Sequence, residues 1–416
     1  MKRREVEMLW KPGKIELLAP ARDLRSARAA IDCGADAVYM GGPRFGARQA
    51  AGNSVADIAA VAEYARRFGV RVYVTLNTLL FDDELADAER IARQVVEAGA
   101  DALIVQDMAY LEMELEGVEL HASTQTFNAS PEKAAFLADC GFSRVILERN
   151  LSLEEIRRIR AATDVELECF VHGAICVCYS GRCYMSRTMS PRSGNRGDCM
   201  QACRLPYDLL DAAGNVLMAG KHLLSVRDMD LSGRLGDLLD AGVTSFKIEG
   251  RLKDEAYVRN VVAWYRTRLD REIAARPGLV RASEGQSDPG FEPDLARTFS
   301  RGRTEYFFDG RREGFHTRYS EGRRRFRLPG GAFRSRVVRA AGRRGIRPWR
   351  RHLFHVRRPV GRYERERYGR GARAAQQGVE TSGRDGDLSE LRPPVQRAFG
   401  GSPCPPFGTG VRDREF

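Results

Sequence analysis

A unit that recurs five times between residues 33 and 248 does most to limit how this chain can fold. An amphipathic helix ends on a glycine, usually after a small residue, and about three residues later an apolar, β-rich run begins. The copies read CGADAVYM from Cys33, FGVRVYVT from Phe68, AGADALIV from Ala98, CGFSRVIL from Cys140 and AGVTSFKI from Ala241. Glycine at a helix C-terminus takes the left-handed conformation without steric cost, and an uninterrupted apolar run suits a strand buried on both faces. Each copy is therefore an αβ unit of a parallel sheet.

Extending the pattern predicts eight strands, at 14–21, 36–42, 70–77, 101–107, 119–125, 144–149, 165–172 and 245–250. Between them lie helical stretches such as 55–68, 84–98 and 153–162, the last opened by a Ser152 N-cap with Glu154 and Glu155 in its first turn. Eight alternating strands and helices fit a (β/α)8 TIM-barrel-like domain over 14–275, with a doubly wound open sheet as the competing topology. More than seventy residues separate strands seven and eight, enclosing a cysteine-rich insertion at 173–206 and a hairpin of 207–210 with 216–219. In a barrel the loops at the C-terminal ends of the strands build the active site, so a long one there is expected to be functional.

Of the nine cysteines, Cys169, Cys176, Cys178, Cys183, Cys199 and Cys203 fall within 35 residues. The charged start, Met1 to Trp10, does not read as an export signal, and no apolar run reaches membrane-spanning length. A cytoplasmic protein with reduced thiols is expected, and clustered reduced thiols point to metal. Cys176, Cys183, Cys199 and Cys203 give the spacing C-x6-C-x15-C-x3-C, with Cys169 and Cys178 as alternates. Four thiolates suit Zn²⁺ or a [4Fe–4S] cluster, and the lack of a C-x2-C pair weighs against a zinc ribbon.

Polar residues at the strand ends form the other candidates. Strand five carries His121 and leads through Gln125 to Asn128, Glu148 ends strand six, and Glu166 and Glu168 share a face of strand seven. Lys247, Glu249 and Arg251 come from strand eight. Charges pointing into a barrel need partners or a substrate, and as a set these suggest an anionic or polyhydroxylated ligand. Glu168, His121, Lys247 and Glu249 are the expected catalytic group, with Gln125, Asn128, Glu148 and Arg251 binding substrate. His172, four residues before Cys176, permits a thiol–histidine pair, although metal bonding would quench such a nucleophile. The turn Gly41-Gly42 with Phe45, Arg48 and Asn53 could hold a phosphate or be an ordinary βα turn.

Net charge is +12, but its distribution decides what it means. Residues 321–416 carry 24 Arg, no Lys and 9 acidic residues, which leaves 1–320 nearly neutral. Residues 276–320 read as a linker and the start of a small β-rich region. The Arg/Gly/Pro-rich segment 321–416 cannot support a core and reads as a disordered tail or an out-of-frame translation, with an RNA-binding arm as its functional rival.

The stretch from Glu168 to Ser186 resembles the signature of the U32 family of collagenase-like peptidases. It matches at Glu168, Phe170, Gly173, Ala174, Ile175, Cys176, Gly181, Cys183, Met185 and Ser186. The likeness extends to ELLAPA, GADAVYMGG, VTLNTLL, ELHASTQ, NRGDCMQACRLPY and SFKIEGR, covering about 14–270. The resemblance implies a barrel-like enzyme with one of two activities. One is iron–sulfur-dependent, oxygen-independent or prephenate-dependent hydroxylation of an RNA base (tRNA uridine or rRNA) or a small aromatic molecule. The other is proteolysis of collagen-like polypeptides. It also implies a possible partner protein of the same family. Where relatives often have a cysteine after S-K-D-L, this chain reads SVRDMDLS, which leans the fourth ligand toward Cys203.

Overall fold

The computed structural model describes residues 13–48 and 51–310. Seven strands follow in order: β1 (Lys14–Pro20), β2 (Ala37–Gly41), β3 (Arg71–Leu76), β4 (Ala102–Val105), β5 (Glu119–Ala122), β6 (Arg144–Ile146) and β7 (Glu166–Gly173). Each pairs in parallel with the next. After the insertion come the hairpin β8 (Tyr207–Leu210) and β9 (Val216–Lys221), and a short strand β10 (Asp228–Asp230) antiparallel to β7. Strand β11 (Ser245–Ile248) pairs in parallel with both β7 and β1, which closes the barrel and excludes the open sheet.

The helices pack outside: α1 (Leu24–Asp32), α2 (Val55–Arg66), α3 (Leu85–Glu97), α4 (Pro131–Asp139), α5 (Leu153–Ala162), a short α6 (Met185–Met189) in the insertion, α7 (Leu235–Asp240) and α8 (Glu255–Ala274). Reciprocal capping boxes, Ser54 with Asp57 and Ser152 with Glu155, start α2 and α5. The glycines of the five repeated units, Gly34, Gly69, Gly99, Gly141 and Gly242, all have φ between 62° and 105°. A Cβ would be strained in each, so this residue fixes where helix gives way to strand. Only a 3-10 turn, Met108–Leu111, joins β4 to β5, because the intervening stretch is too short for a helix and a return.

Barrel interiors are usually filled by branched aliphatic residues. Here the lower interior is ionic. Arg144, fully buried, donates from Nε to Glu166 at 2.8 Å and from Nη1 to Glu16 at 2.6 Å, Glu168 at 3.0 Å and the Ser245 hydroxyl at 3.2 Å. Its partners thus come from β1, β7 and β11, and one guanidinium ties them across the barrel. Burial alone would raise the Glu16 carboxyl, but Arg144 holds it down at about 2. For Glu166 burial prevails, and its carboxyl is pushed up to about 7.

The segment expected as a linker runs along the barrel. Its β12 (Val280–Arg281) pairs with β1, and β13 (Arg303–Thr304) pairs with β10. Arg281 and Arg266 both bond the buried Asp36 carboxylate, each at 2.8 Å. The arginine-rich tail lies outside the described residues. Among the described residues no helix is long and apolar enough to cross a membrane.

Candidate functional site

A cavity of about 350 Å³ opens at the C-terminal ends of the barrel strands. Its floor and walls come from the strands and their following residues: Tyr39, Thr75, Phe170, Lys247, Glu249 and Arg251, with Arg48 and Arg149 beside them. Its roof is the insertion, from Cys176 to Met185 and again at Gly194, Asn195, Cys199 and Cys203.

Specific contacts seat this roof. The Glu148 carboxylate accepts from the Ser180 amide at 3.2 Å and the Ser180 hydroxyl at 3.0 Å, fastening the insertion to the end of β6. The Cys183 amide donates to the Asn195 side chain at 3.0 Å. Gly181, at φ +69°, packs so closely that a Cβ there would meet the Gln125 carbonyl oxygen at 2.0 Å. Gly173, at φ +103°, lies against the Glu249 backbone in the same way. Both glycines of the signature therefore have a steric reason at this lid.

All four expected cysteines, Cys176, Cys183, Cys199 and Cys203, line the cavity. Burial raises the Cys203 thiol and Arg204 opposes this, while Cys176, Cys199 and Cys183 raise it further, so these three lie within electrostatic reach of Cys203. Cys178 also lines the cavity, with its thiol on the Arg182 carbonyl at 3.4 Å. Cys169 is buried on the helix-facing side of β7, and burial pushes its thiol far up. Among the described residues, no three His, Cys, Asp or Glu side chains converge as ligands of a single ion. A tetrahedral zinc site would need sulfurs about 3.8 Å apart, as Zn–S bonds of about 2.3 Å dictate. An iron–sulfur cubane instead binds each thiolate to a different iron.

The rest of the cavity is cationic. Lys247 Nζ is 2.6 Å from Glu168 beneath it and 4.4 Å from the centre of the Tyr39 ring. Burial raises the Glu168 carboxyl, but Lys247 and then Arg144 bring it below the ordinary range. Burial lowers the Lys247 ammonium and Glu168 opposes this. Arg149 bonds Glu249 at 2.9 Å and lies 3.9 Å over the Phe170 ring. Arg251 donates to Thr75 at 2.6 Å. Burial lowers Arg48, while Glu249 and the thiols of Cys176 and Cys199, which line the same cavity, raise it on balance. Four cations face one carboxylate, with aromatic walls between them. Such a lining suits an anionic or planar ligand, with the Lys247 ammonium on the floor as the nearest proton source.

Of the residues expected from sequence, Lys247, Glu249, Gln125, Arg251 and the four cysteines meet here. Glu168 lies one layer down, under Lys247. His121 is deeper still, 3.2 Å from Glu119 and edge-on to Tyr73, and burial holds its imidazole below the ordinary range. Asn128 donates to the carbonyls of Ser123 at 3.0 Å and Ile146 at 2.8 Å, so it ties two strand ends and does not line the cavity. Glu148 holds the lid. His172 is turned away: an extra residue on β7 between Phe170 and His172 shifts the register against β11 and aims the imidazole at Tyr265 of α8, 3.3 Å away. No thiol–histidine pair forms with Cys176. Tyr39 and Thr75, which sequence reading passed over, sit at alternate positions of predicted strands, and that parity was the available signal.

The chain is similar in sequence to a known family and to several proteins of assigned name. The profile of Peptidase family U32 matches residues 22–318. The chain is 54% identical over 299 residues to the 23S rRNA 5-hydroxycytidine C2501 synthase of Escherichia coli (strain K12), covering 72% of this chain and 46% of that protein. It is 35% identical over 307 residues to tRNA hydroxylation protein P1 of Bacillus subtilis (strain 168), covering 71% of each. To a collagenase of Porphyromonas gingivalis (strain ATCC BAA-308 / W83) it is 32% identical over 334 residues, covering 75% of this chain and 78% of that protein. The chain thus spans about half the length of the E. coli protein.

Proposed function

The chain belongs to peptidase family U32, and from this we propose that it is an RNA-modifying enzyme that hydroxylates a base of ribosomal or transfer RNA. The observation that carries the reading is the single cavity uniting the insertion's cysteines with a cationic, aromatic-walled floor. The names of the E. coli and B. subtilis relatives support RNA as substrate. Cys176, Cys183, Cys199 and Cys203 would hold an iron–sulfur cluster, most simply [4Fe–4S], which when bound supplies one-electron chemistry at the roof. Beneath it, Phe170 and Tyr39 wall in a planar base, Arg48, Arg149 and Arg251 orient its polar edge or an anionic co-substrate, and Lys247, fixed by Glu168, holds the proton nearest the ligand. The lid seated by Glu148 and Gly181 covers this space.

Peptidase activity, the alternative raised by the collagenase relative, would need a base at the Cys176 thiol. The sequence-adjacent candidate, His172, faces Tyr265 instead. Two measurements test the proposal. Protein purified anaerobically should contain iron and sulfide, and each of the four Cys→Ala changes should deplete both, while Cys178→Ala should not. Nucleosides of rRNA and tRNA from cells lacking the gene should lack one hydroxylated base, restored by the wild-type chain and not by Cys176→Ala. A complete set of hydroxylated bases in the deleted strain refutes the RNA reading, and protein free of iron after reconstitution refutes the cluster.

A further inference from the structure

A second cavity, of about 320 Å³, adjoins the first, and Arg48 lines both. It lies between the turn after β2, the loop after β3 and the insertion, and three of its nine lining residues are arginines: Arg44, Arg48 and Arg196. Glu84 is the one carboxylate among them. Arg196 pairs with Glu84 at 2.6 Å, and Arg44 pairs with Asp87. The Arg44 side chain is more than half exposed, and ion pairs of that kind are weak and exchangeable. A phosphate accepts two parallel N–H bonds from a guanidinium and carries more charge than a carboxylate, so it competes well for these arginines.

Exposed aromatic rings accompany the two cavities: Tyr179 and Tyr184 line the larger one, and Phe81 lies under Arg196 of the smaller. Tyr184 is 66% exposed, Phe81 61% and Tyr179 43%. Cations accompany them: Arg196 lies 4.3 Å over Phe81, and Arg182 lies 4.2 Å over Phe127, whose ring is 4.8 Å from that of Tyr179. Exposed rings interleaved with arginines beside a basic groove are the means by which proteins hold unpaired nucleic acid, because every base has a face to stack and every nucleotide a phosphate.

We propose that this rim is a track for an unpaired RNA strand, in which the smaller cavity takes the backbone phosphate next to the target nucleotide and Tyr184 stacks a flanking base. The inference rests on the RNA reading above and adds the form of the RNA. A target base reaches the larger cavity, under the lid, only when it is out of a helix, so the substrate is a loop or an extruded nucleotide.

The test uses the full chain, so that residues 321–416 are common to every variant. A short unpaired oligoribonucleotide carrying 4-thiouridine serves for anisotropy and for photo-cross-linking. Tyr184→Ala should weaken binding roughly 5- to 150-fold, the range of one lost stacking contact, and Tyr184→Phe should bind as wild type. Arg44→Ala, a surface change that leaves folding intact, should reduce the slope of log affinity against log salt by about 0.7. Cross-links should map to Tyr184, Tyr179 or Phe81, and a duplex of the same sequence should compete poorly. Wild-type binding that both variants leave unchanged, or cross-links confined to 321–416, overturns the track and leaves the RNA reading standing. Failure of the wild-type chain to bind RNA at all overturns both.

Discussion

Replacing Lys247 by Met separates a structural from a functional reading of the cavity floor. The side chains of Lys247 and Glu168 are 4% and 0% exposed, and their contact is 2.6 Å. Removing one member of a buried ion pair typically costs about 3–5 kcal/mol, because the other charge stays buried without compensation. Glu168 keeps Arg144 at 3.0 Å and the Ser245 hydroxyl at 3.2 Å, so the lower end, about 3 kcal/mol, is expected. In the double variant Lys247→Met/Glu168→Gln neither charge remains, and about 2 kcal/mol or more should return. Lys247 lowers the Glu168 carboxyl in the folded chain, and a depressed carboxyl stabilises above its unfolded pKa and loses that contribution as pH falls. The deficit of the single variant should therefore be largest at neutral pH and shrink as the medium is acidified through the ordinary carboxylate range. Equilibrium urea unfolding at constant m measures both effects. A single variant that loses under about 1 kcal/mol, or a deficit independent of pH, refutes the reasoning. If the double variant regains stability and still fails to modify RNA, Lys247 serves the substrate as well as the fold.

Two further changes probe the lid and the outer layer. Burial holds the His172 imidazole down at about 4, so the folded chain resists its protonation and loses up to about 3 kcal/mol as pH falls from 6.5 through 4. His172→Phe should flatten that part of the stability curve, measured by thermal unfolding, and leave RNA modification in place. Gly181→Ala puts a Cβ against the Gln125 carbonyl at an unfavourable φ, so the lid should lift locally. Iron content should fall while the unfolding midpoint changes little, and a variant with full iron would show that the close approach is dispensable.

Strand positions and helix starts were legible because they are local. A glycine at positive φ, a Ser with a carboxylate three residues on, and a continuous apolar run each report a nearby backbone requirement. Closure through β11 was not, since register between strands distant in sequence depends on side chains meeting across the barrel. Arg144 shows why: in sequence it is one arginine opening a strand, and nothing local distinguishes it from a surface residue, yet it bonds β1, β7 and β11. The cysteines were readable as a group, and their common cavity follows from the loop they share. His172 misled because alternation assigns it the face of Glu166 and Glu168, and one extra residue in the strand reverses that parity. Asn128 and Glu148 stand at strand ends as substrate-binding residues do, but each satisfies the backbone or hydroxyl groups of a neighbouring loop.

The ionic interior and the cationic cavity are one arrangement. A lysine at the floor of a water-poor site is useful only if it is held in one position and kept charged, and an apolar barrel would do neither. Glu168 does both from below, but an isolated buried carboxylate under a lysine would itself be costly, and Arg144 stabilises it from the next layer. Arg144 in turn requires Glu16 and Glu166, one held ionised at about 2 and the other pushed to about 7. Burial raises the Glu166 carboxyl against the pull of Arg144, which limits the negative charge that this layer must carry. On this reasoning the carboxylates of β1 and β7 persist to fix one ammonium group at the cavity, and a barrel repacked with aliphatic residues below Lys247 would fold as well and act worse.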